Sequence, residues 1–187
     1  MAHIILASSS PRRRALLQQL GLDFDIQSPD IDESVQEGEV VEHYVERLAK
    51  EKAQAILNQY PDAVVIAADT SLGLAGQIIG KPESKQHAFD IWSTLSGRWH
   101  DVYSGVCIAT STQILSTVVR TQVEFQALTP EDMETYWATG EPIGKAGAYA
   151  IQGIAAQYIP QIQGSYSNVV GLPLYETAQL LKALKLH

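Results

Sequence analysis

Six consecutive apolar residues, Ala63-Val64-Val65-Ile66-Ala67-Ala68, constrain this chain more than any other segment. A run so short and unbroken has no polar face to give to water, so it predicts a strand buried on both faces. The run ends at Asp69-Thr70, where a carboxyl side chain leaves the apolar layer. Ligands of open α/β sheets bind beyond the carboxyl ends of strands. Asp69 is therefore either a partly desolvated acid at a site or an ordinary turn-forming or capping residue. Periodicity favours neither.

The flanking pattern supplies the rest of the fold. Ile4-Ile5-Leu6 reads as a short buried strand. Ser10 suits a helix N-cap, Pro11 the first helical turn, and Gly21 closes that helix at Leu20. Residues 23–27 read as a strand and 28–38 as an acidic loop carrying Asp30, Asp32 and Glu33. A long helix is expected over 40–60, with Val41, Tyr44, Val45, Leu48, Ala55 and Ile56 as its apolar stripe. A hairpin over 72–79 turns at Ala75-Gly76, and a helix spans 84–95. Residues 99–110 and 113–128 are strand-rich. A helix starting at Thr129-Pro130, with acids at its positive end, runs to Ala138 and is capped by Gly140. Residues 145–153 are rich in small side chains, and Pro173 opens a last helix through Leu186. Strands and helices mix without strict alternation. The expectation is α/β, a mixed sheet with flanking helices, as one domain over 1–187.

Charge narrows the function. The chain is 45% hydrophobic, enough for a packed core, and its net charge is -8. That argues against general coating of nucleic acid, which needs a broad basic surface. Against that background Arg12-Arg13-Arg14 is an exception, and it sits at the positive end of a helix. Cations there oppose the helix dipole by about 0.3–1 kcal/mol each. With Ser8, Ser9 and Ser10 beside them and free N–H groups at the helix start, they ask for an anion, and phosphate is the obvious one. The plainer reading is a solvated basic face. Cys107 is the single cysteine, so internal disulfides and cysteine zinc cages are excluded. No apolar run is long enough to span a bilayer, and a cytoplasmic protein with no membrane partner is expected.

Several residues are candidates for chemistry. Lys81 lies in the constrained turn Gly80-Lys81-Pro82, and Lys52 falls at the margin of the long helix's stripe. Taken alone, a lysine in either place is more often a solvated surface residue. Glu33, Asp30 and Asp32 offer the oxygen ligands that hard cations take, or form a plain acidic loop. There is no Gly-x-x-x-x-Gly-Lys-Ser/Thr loop, no dinucleotide-type glycine fingerprint after a strand, and no nucleophile elbow around Ser8 to Ser10. His3, His43, His87, His100 and His187 show no metal-ligand spacing. His100 reads as a structural hydrogen-bonding residue, and Trp92, Trp99 and Trp137 as core or interface residues.

Taken in order, Leu6-Ala7-Ser8-Ser9-Ser10-Pro11-Arg12-Arg13, Glu33, Glu51-Lys52-Ala53, Ala68-Asp69-Thr70, Gly80-Lys81-Pro82, Ser96-Gly97 and His100 resemble the Maf family. The likeness continues through Gly147-Ala148-Tyr149-Ala150-Ile151-Gln152-Gly153 and Gly164-Ser165-Tyr166 to Val170-Gly171-Leu172-Pro173-Leu174. Ser9, where some relatives carry Gly, is a minor departure. The resemblance implies a nucleoside triphosphate pyrophosphatase that cleaves between the α- and β-phosphates. It implies an α/β fold of two lobes around a central cleft, similar to inosine triphosphatases, and it admits a homodimer. Arg12, Thr70 and Gln152 match the subgroup that hydrolyses dTTP and UTP, with modified pyrimidine nucleotides as further substrates in a house-cleaning role. The 7-methyl-GTP subgroup typically carries Trp, Gln and Glu there. The swap has a physical reading, because the Gln152 amide complements both the N3–H donor and the carbonyl acceptor of a thymine or uracil edge.

The residue roles that the resemblance implies are these. Ser8, Arg13, Lys52 and Lys81 bind phosphate, and Arg12, Thr70 and Gln152 select the base. Glu33 and Asp69 hold a divalent cation, Mg²⁺ foremost with Mn²⁺ or Co²⁺ as alternatives, and Asp69 is the catalytic base. Three other readings stay open. One is a non-enzymatic nucleotide-binding regulator of cell division, another an inosine/xanthosine triphosphate pyrophosphatase, and the third a nucleic-acid-binding protein that sets the arginines on a phosphate backbone, against which the net charge of -8 weighs.

Overall fold

The computed structural model describes residues 3–185, so the expected helix end at Leu186 lies outside the described residues. A seven-stranded mixed sheet organises the chain: β1 (Ile4–Ala7), β2 (Asp25–Gln27), β3 (Val64–Leu74), β4 (Gln77–Ile79), β5 (Trp99–Ala109), β6 (Ile114–Glu124) and β7 (Gln161–Gln163). The spatial order is β2-β1-β3-β5-β6-β7, with β4 paired to β3. β1 is parallel to both of its neighbours, and the other pairs are antiparallel. Parallel neighbours need crossovers, which α1 (Pro11–Gln18) and α2 (Val41–Leu57) supply. Four further helices, α3 (Lys85–Leu95), α4 (Pro130–Ala138), α5 (Tyr166–Val170) and α6 (Leu174–Ala183), flank the sheet with 3₁₀ turns at Ala146–Ala148 and Ile154–Tyr158.

The apolar run is buried on both faces, as expected. Val65 and Ala67 pack with Ile5, Ala7, Cys107 and Ala109 under Ala49, Ala53 and Ile56 of α2. Ile66 and Ala68 face the larger core with Trp92, Leu95, Leu172 and Leu181. The buried stripe of α2 runs through Ala49 and Ala53, with Ala55 only half-buried, and it includes Lys52. The helix lies close to the sheet because β5 carries Gly105 beneath it. A Cβ there would sit 2.4 Å from the Val45 carbonyl oxygen.

One expectation is corrected where it matters. β3 does not end at Asp69-Thr70; it runs on to Leu74, because β5 stays in register with it from Val65 opposite Ala109 to Gly73 opposite Asp101. What ends is β1, at Ala7, with Leu6 opposite Ile66. Asp69 therefore sits on a continuing strand just past the carboxyl end of its parallel neighbour, and the opening is left by β1. Elsewhere α1 stops at Gln18 instead of Leu20, and β6 stops at Glu124, after which Gln126 N–H bonds the Tyr158 carbonyl. β7 and α5, of three and five residues, are too short for periodicity to reveal. Among the described residues no helix is long and apolar enough to cross a membrane.

Candidate active site

A cleft of about 460 Å³ opens where β1 ends, and Ser8, Arg12, Arg13, Glu33, Lys52, Asp69, Thr70, Lys81 and Gln152 all line it. The start of α1 forms its floor. Ser10 caps the helix by accepting the Arg13 N–H, and the Ser8 hydroxyl accepts the Ser10 N–H at 3.1 Å. Arg14 is exposed and outside the cleft.

Strand alternation sends Asp69 and Thr70 to opposite faces of β3. Asp69 turns toward α2, where Lys52 Nζ lies 2.7 Å from Asp69 Oδ1 and 2.9 Å from Glu33 Oε1. The Lys52 and Asp69 side chains are only 9% and 10% exposed, while Glu33 is 46% exposed. Burial alone would raise the Glu33 pKa. The Lys52 hydrogen bond and the charges of Lys52, Lys81 and Arg13 overcome it and hold the carboxyl below the usual range. The loop bearing Glu33 is tied to the same helix. Tyr44 hydroxyl donates to the Glu33 carbonyl at 2.8 Å, and Arg47 grips both oxygens of Glu39 at 2.6 and 2.8 Å and the Ser34 carbonyl at 3.0 Å. Burial, then the charges of Asp69 and Glu33, push the Tyr44 hydroxyl up to about 12, so it stays a donor.

Thr70 turns the other way. Arg13 donates from Nε to the Gly171 carbonyl at 2.8 Å and from Nη2 to Thr70 Oγ1 at 3.2 Å. The Thr70 hydroxyl also lies 2.7 Å from the Ser104 hydroxyl and 3.4 Å from the Gly171 carbonyl, and the Ser104 hydroxyl lies 3.1 Å from the Asn168 carbonyl, so either hydroxyl can donate to the other. The Thr70 hydroxyl is thus committed inside the protein. Burial lowers the pKa of both Arg12 and Arg13, and for Arg13 the Asp69 charge opposes this.

The remaining wall is irregular chain from 144 to 152. Gln152 is exposed there, and among the described residues its amide has no hydrogen-bond partner. Lys145 also lines the cleft, with its ammonium 2.6 Å from the Glu141 carbonyl and no carboxylate partner among the described residues. Burial and then the Arg12 charge lower its pKa. Sequence reasoning passed over Lys145 because small neighbours dominated the segment; the one signal was a lone cation between Gly144 and Ala146. Tyr149 completes the wall, and its hydroxyl lies 2.7 Å from His100 Nε2. His100 is the structural residue expected, since burial pushes its pKa down to about 3 and keeps it neutral. His187 lies outside the described residues.

Two carboxylates, Glu33 and Asp69, converge on the Lys52 ammonium. An oxygen-only pair of this kind fits Mg²⁺ that completes its shell with water and phosphate oxygens. Asp32 does not join them, since its carboxylate takes the N–H and hydroxyl of Ser34 at 2.9 and 2.6 Å. Among the described residues no group of three or more His, Cys, Asp or Glu side chains forms a closed cage. Arg12, Arg13, Lys52, Lys81 and Lys145 set five cations against two carboxylates, an excess of three positive charges in the cleft. The whole chain carries -8.

The family model described as "Maf-like protein" matches residues 3–184. A dTTP/UTP pyrophosphatase of Acinetobacter baylyi is 71% identical over 180 residues, covering 96% of this chain and 98% of that protein. A dTTP/UTP pyrophosphatase of Colwellia psychrerythraea is 49% identical, covering 95% and 86%. Among solved structures, the Staphylococcus aureus Ham1 protein aligns with 17% identity and a TM-score of 0.47, covering 66% of this chain and 71% of that one.

Proposed function

The chain belongs to the Maf family, and on that premise we propose that it is a nucleoside triphosphate pyrophosphatase acting on dTTP and UTP. Relatives that carry this name match it over nearly their full length. The observation that carries the reading is electrostatic: a cleft with three surplus positive charges on a chain of net charge -8. Such a cleft concentrates a polyanion and offers little to a neutral ligand.

The proposed reaction is water attack at the α-phosphorus. A bond forms from the water oxygen to that phosphorus, the bond to the α–β bridging oxygen breaks, and the electron pair leaves with pyrophosphate. Asp69 takes the proton from the water. Its carboxylate is held in orientation by Lys52 at 2.7 Å. Arg13, Lys81 and the hydroxyl of Ser8 line the cleft where negative charge builds on the leaving group, and Lys52 can exchange carboxylate for phosphate oxygen. Glu33 and Asp69 would hold a divalent cation, Mg²⁺ with Mn²⁺ or Co²⁺ as alternatives, which neutralises phosphate oxygens when bound. Arg12 and Gln152 face the base. Thr70, whose hydroxyl is bonded to Arg13 and Ser104, contributes by orienting Arg13. A cytoplasmic location belongs to the same proposal.

The test is pyrophosphate release across a panel of nucleoside triphosphates with added Mg²⁺ or Mn²⁺, with Asp69→Asn as control. dTTP and UTP should rank first, and the variant should bind nucleotide without turnover. Release led by ITP or XTP, or none from any nucleotide, would reject the assignment.

A further inference from the structure

Gln152 sits between two anchored residues. The Ala150 N–H donates to the Tyr136 hydroxyl at 3.2 Å, and the Ile154 N–H donates to Glu141 Oε1 at 2.8 Å. The anchors are joined, since the Tyr136 hydroxyl donates to Glu141 Oε2, which also accepts the Ala155 N–H at 3.2 Å. Two of the three donors on this carboxylate are therefore main-chain groups two and three residues after Gln152. The main-chain carbonyl of the same Glu141 takes the ammonium of Lys145.

The fit around this carboxylate is close. A Cβ on Gly153 would lie 1.8 Å from Glu141 Oε1, so the carboxylate occupies the space of the missing side chain. Tyr136 is 3% exposed, and burial followed by the Glu141 hydrogen bond raises its pKa well above the ordinary tyrosine value. It stays protonated and donates. Ala150 and Ile151 are buried while Gln152 is exposed, so the backbone is pinned on both sides of a free amide. A half-buried carboxylate is costly unless its lone pairs are filled, and here they are filled by the Tyr136 hydroxyl, which also takes the Ala150 N–H, and by two N–H groups that follow Gln152.

We propose that Glu141 and Tyr136 are positioning residues for substrate selection: together they hold the Gln152 amide in register with the pyrimidine edge, without touching the nucleotide. This rests on the reading of Gln152 as the base-selecting residue, and its test keeps the two apart. Glu141→Gln, Tyr136→Phe and Gln152→Ala are compared in steady-state kinetics with dTTP, UTP, CTP and GTP. Each positioning variant should raise KM for dTTP and UTP about tenfold, the scale of one charge-assisted hydrogen bond. Each should leave kcat within about twofold and the CTP and GTP values unchanged. Tyr136→Phe added to Gln152→Ala should cost no further selectivity. If Gln152→Ala erases the pyrimidine preference while both positioning variants keep it, the positioning role is overturned and the Gln152 reading stands. If Gln152→Ala itself leaves the ranking intact, the reading beneath the proposal fails. An equal loss of kcat on all four nucleotides would mark the pair as merely structural and also overturn the proposal. Tyr136→Phe keeps the buried ring, so the outcome does not depend on Glu141→Gln folding.

Discussion

The two walls of the cleft hold their working side chains by opposite means. On the α2 wall the holding force is charge: Lys52 bridges Asp69 and Glu33, and Arg47 ties the Glu33 loop to the same helix. Asp69 and Lys52 stand on a strand and a long helix packed directly against each other, and Glu33 on the loop tied to that helix. On the opposite wall the chain is irregular, and Gln152 is held by hydrogen bonds from its neighbours' N–H groups to a buried tyrosine and the half-buried carboxylate it is bonded to. The difference teaches a division of labour. The wall on regular elements can withstand the burial of ionised groups for chemistry common to every triphosphate. The irregular wall presents a neutral amide, and it can vary without disturbing the sheet.

Breaking the charged wall should have the largest effect. Asp69→Asn removes the proton acceptor and should lower kcat about 10³-fold, with nucleotide binding retained in calorimetry. Near-full turnover would remove Asp69 from the mechanism. Lys52→Met strands two carboxylates, and we expect about a 10²-fold loss in kcat/KM. It should also cost about 3 kcal/mol of stability, the low end for a broken buried pair because the cleft is open to water. A variant as stable as the parent in urea melts would show that the ion pair does not support the fold.

On the irregular wall the expected effects are smaller. Gly153→Ala places a methyl group where the Glu141 carboxylate lies and should cost about 1–3 kcal/mol, with a loss of pyrimidine selectivity. If stability falls and selectivity survives, the wall is packed but does not position.

The pH response should also separate the walls. Glu33 titrates below its ordinary value of 4.5 in the folded chain. Its contribution is therefore complete above pH 4.5 and lost as the pH falls through the lowered folded value. His100 is pushed from 6.5 to about 3, so the unfolded chain binds the proton first. Stability on that wall is complete above pH 6.5 and declines as the pH falls toward 3. Urea midpoints between pH 7 and 4 should flatten in His100→Asn and remain sloped in Glu33→Gln. Identical profiles would sink the distinction.

Much of the site was legible because its signals are local. Ser10 before Pro11 and three arginines marks a helix start wherever it lies, and Gly80-Lys81-Pro82 marks a constrained cation. Lys145 was hidden because one lysine among small residues has no pattern of its own. Asp69 was placed at a strand end because apolarity stops there, yet the strand continues. Pairing with β5 supplies its hydrogen bonds regardless of hydropathy.

By itself the sequence determined what neighbouring residues decide. The buried run at 63–68, the α2 stripe, and the caps at Ser10, Ser84 and Thr129 are settled by side-chain periodicity and by hydrogen bonds that reach only a few residues. Only the tertiary structure decided which distant charges meet. Lys52 reaches Asp69 because Gly105 lets α2 rest on the sheet, and Gln152 is held because Tyr136 and Glu141 pack beside its flanks. Such partners are chosen by shape and by the need to satisfy buried polar groups, and neither requirement leaves a regular spacing along the chain.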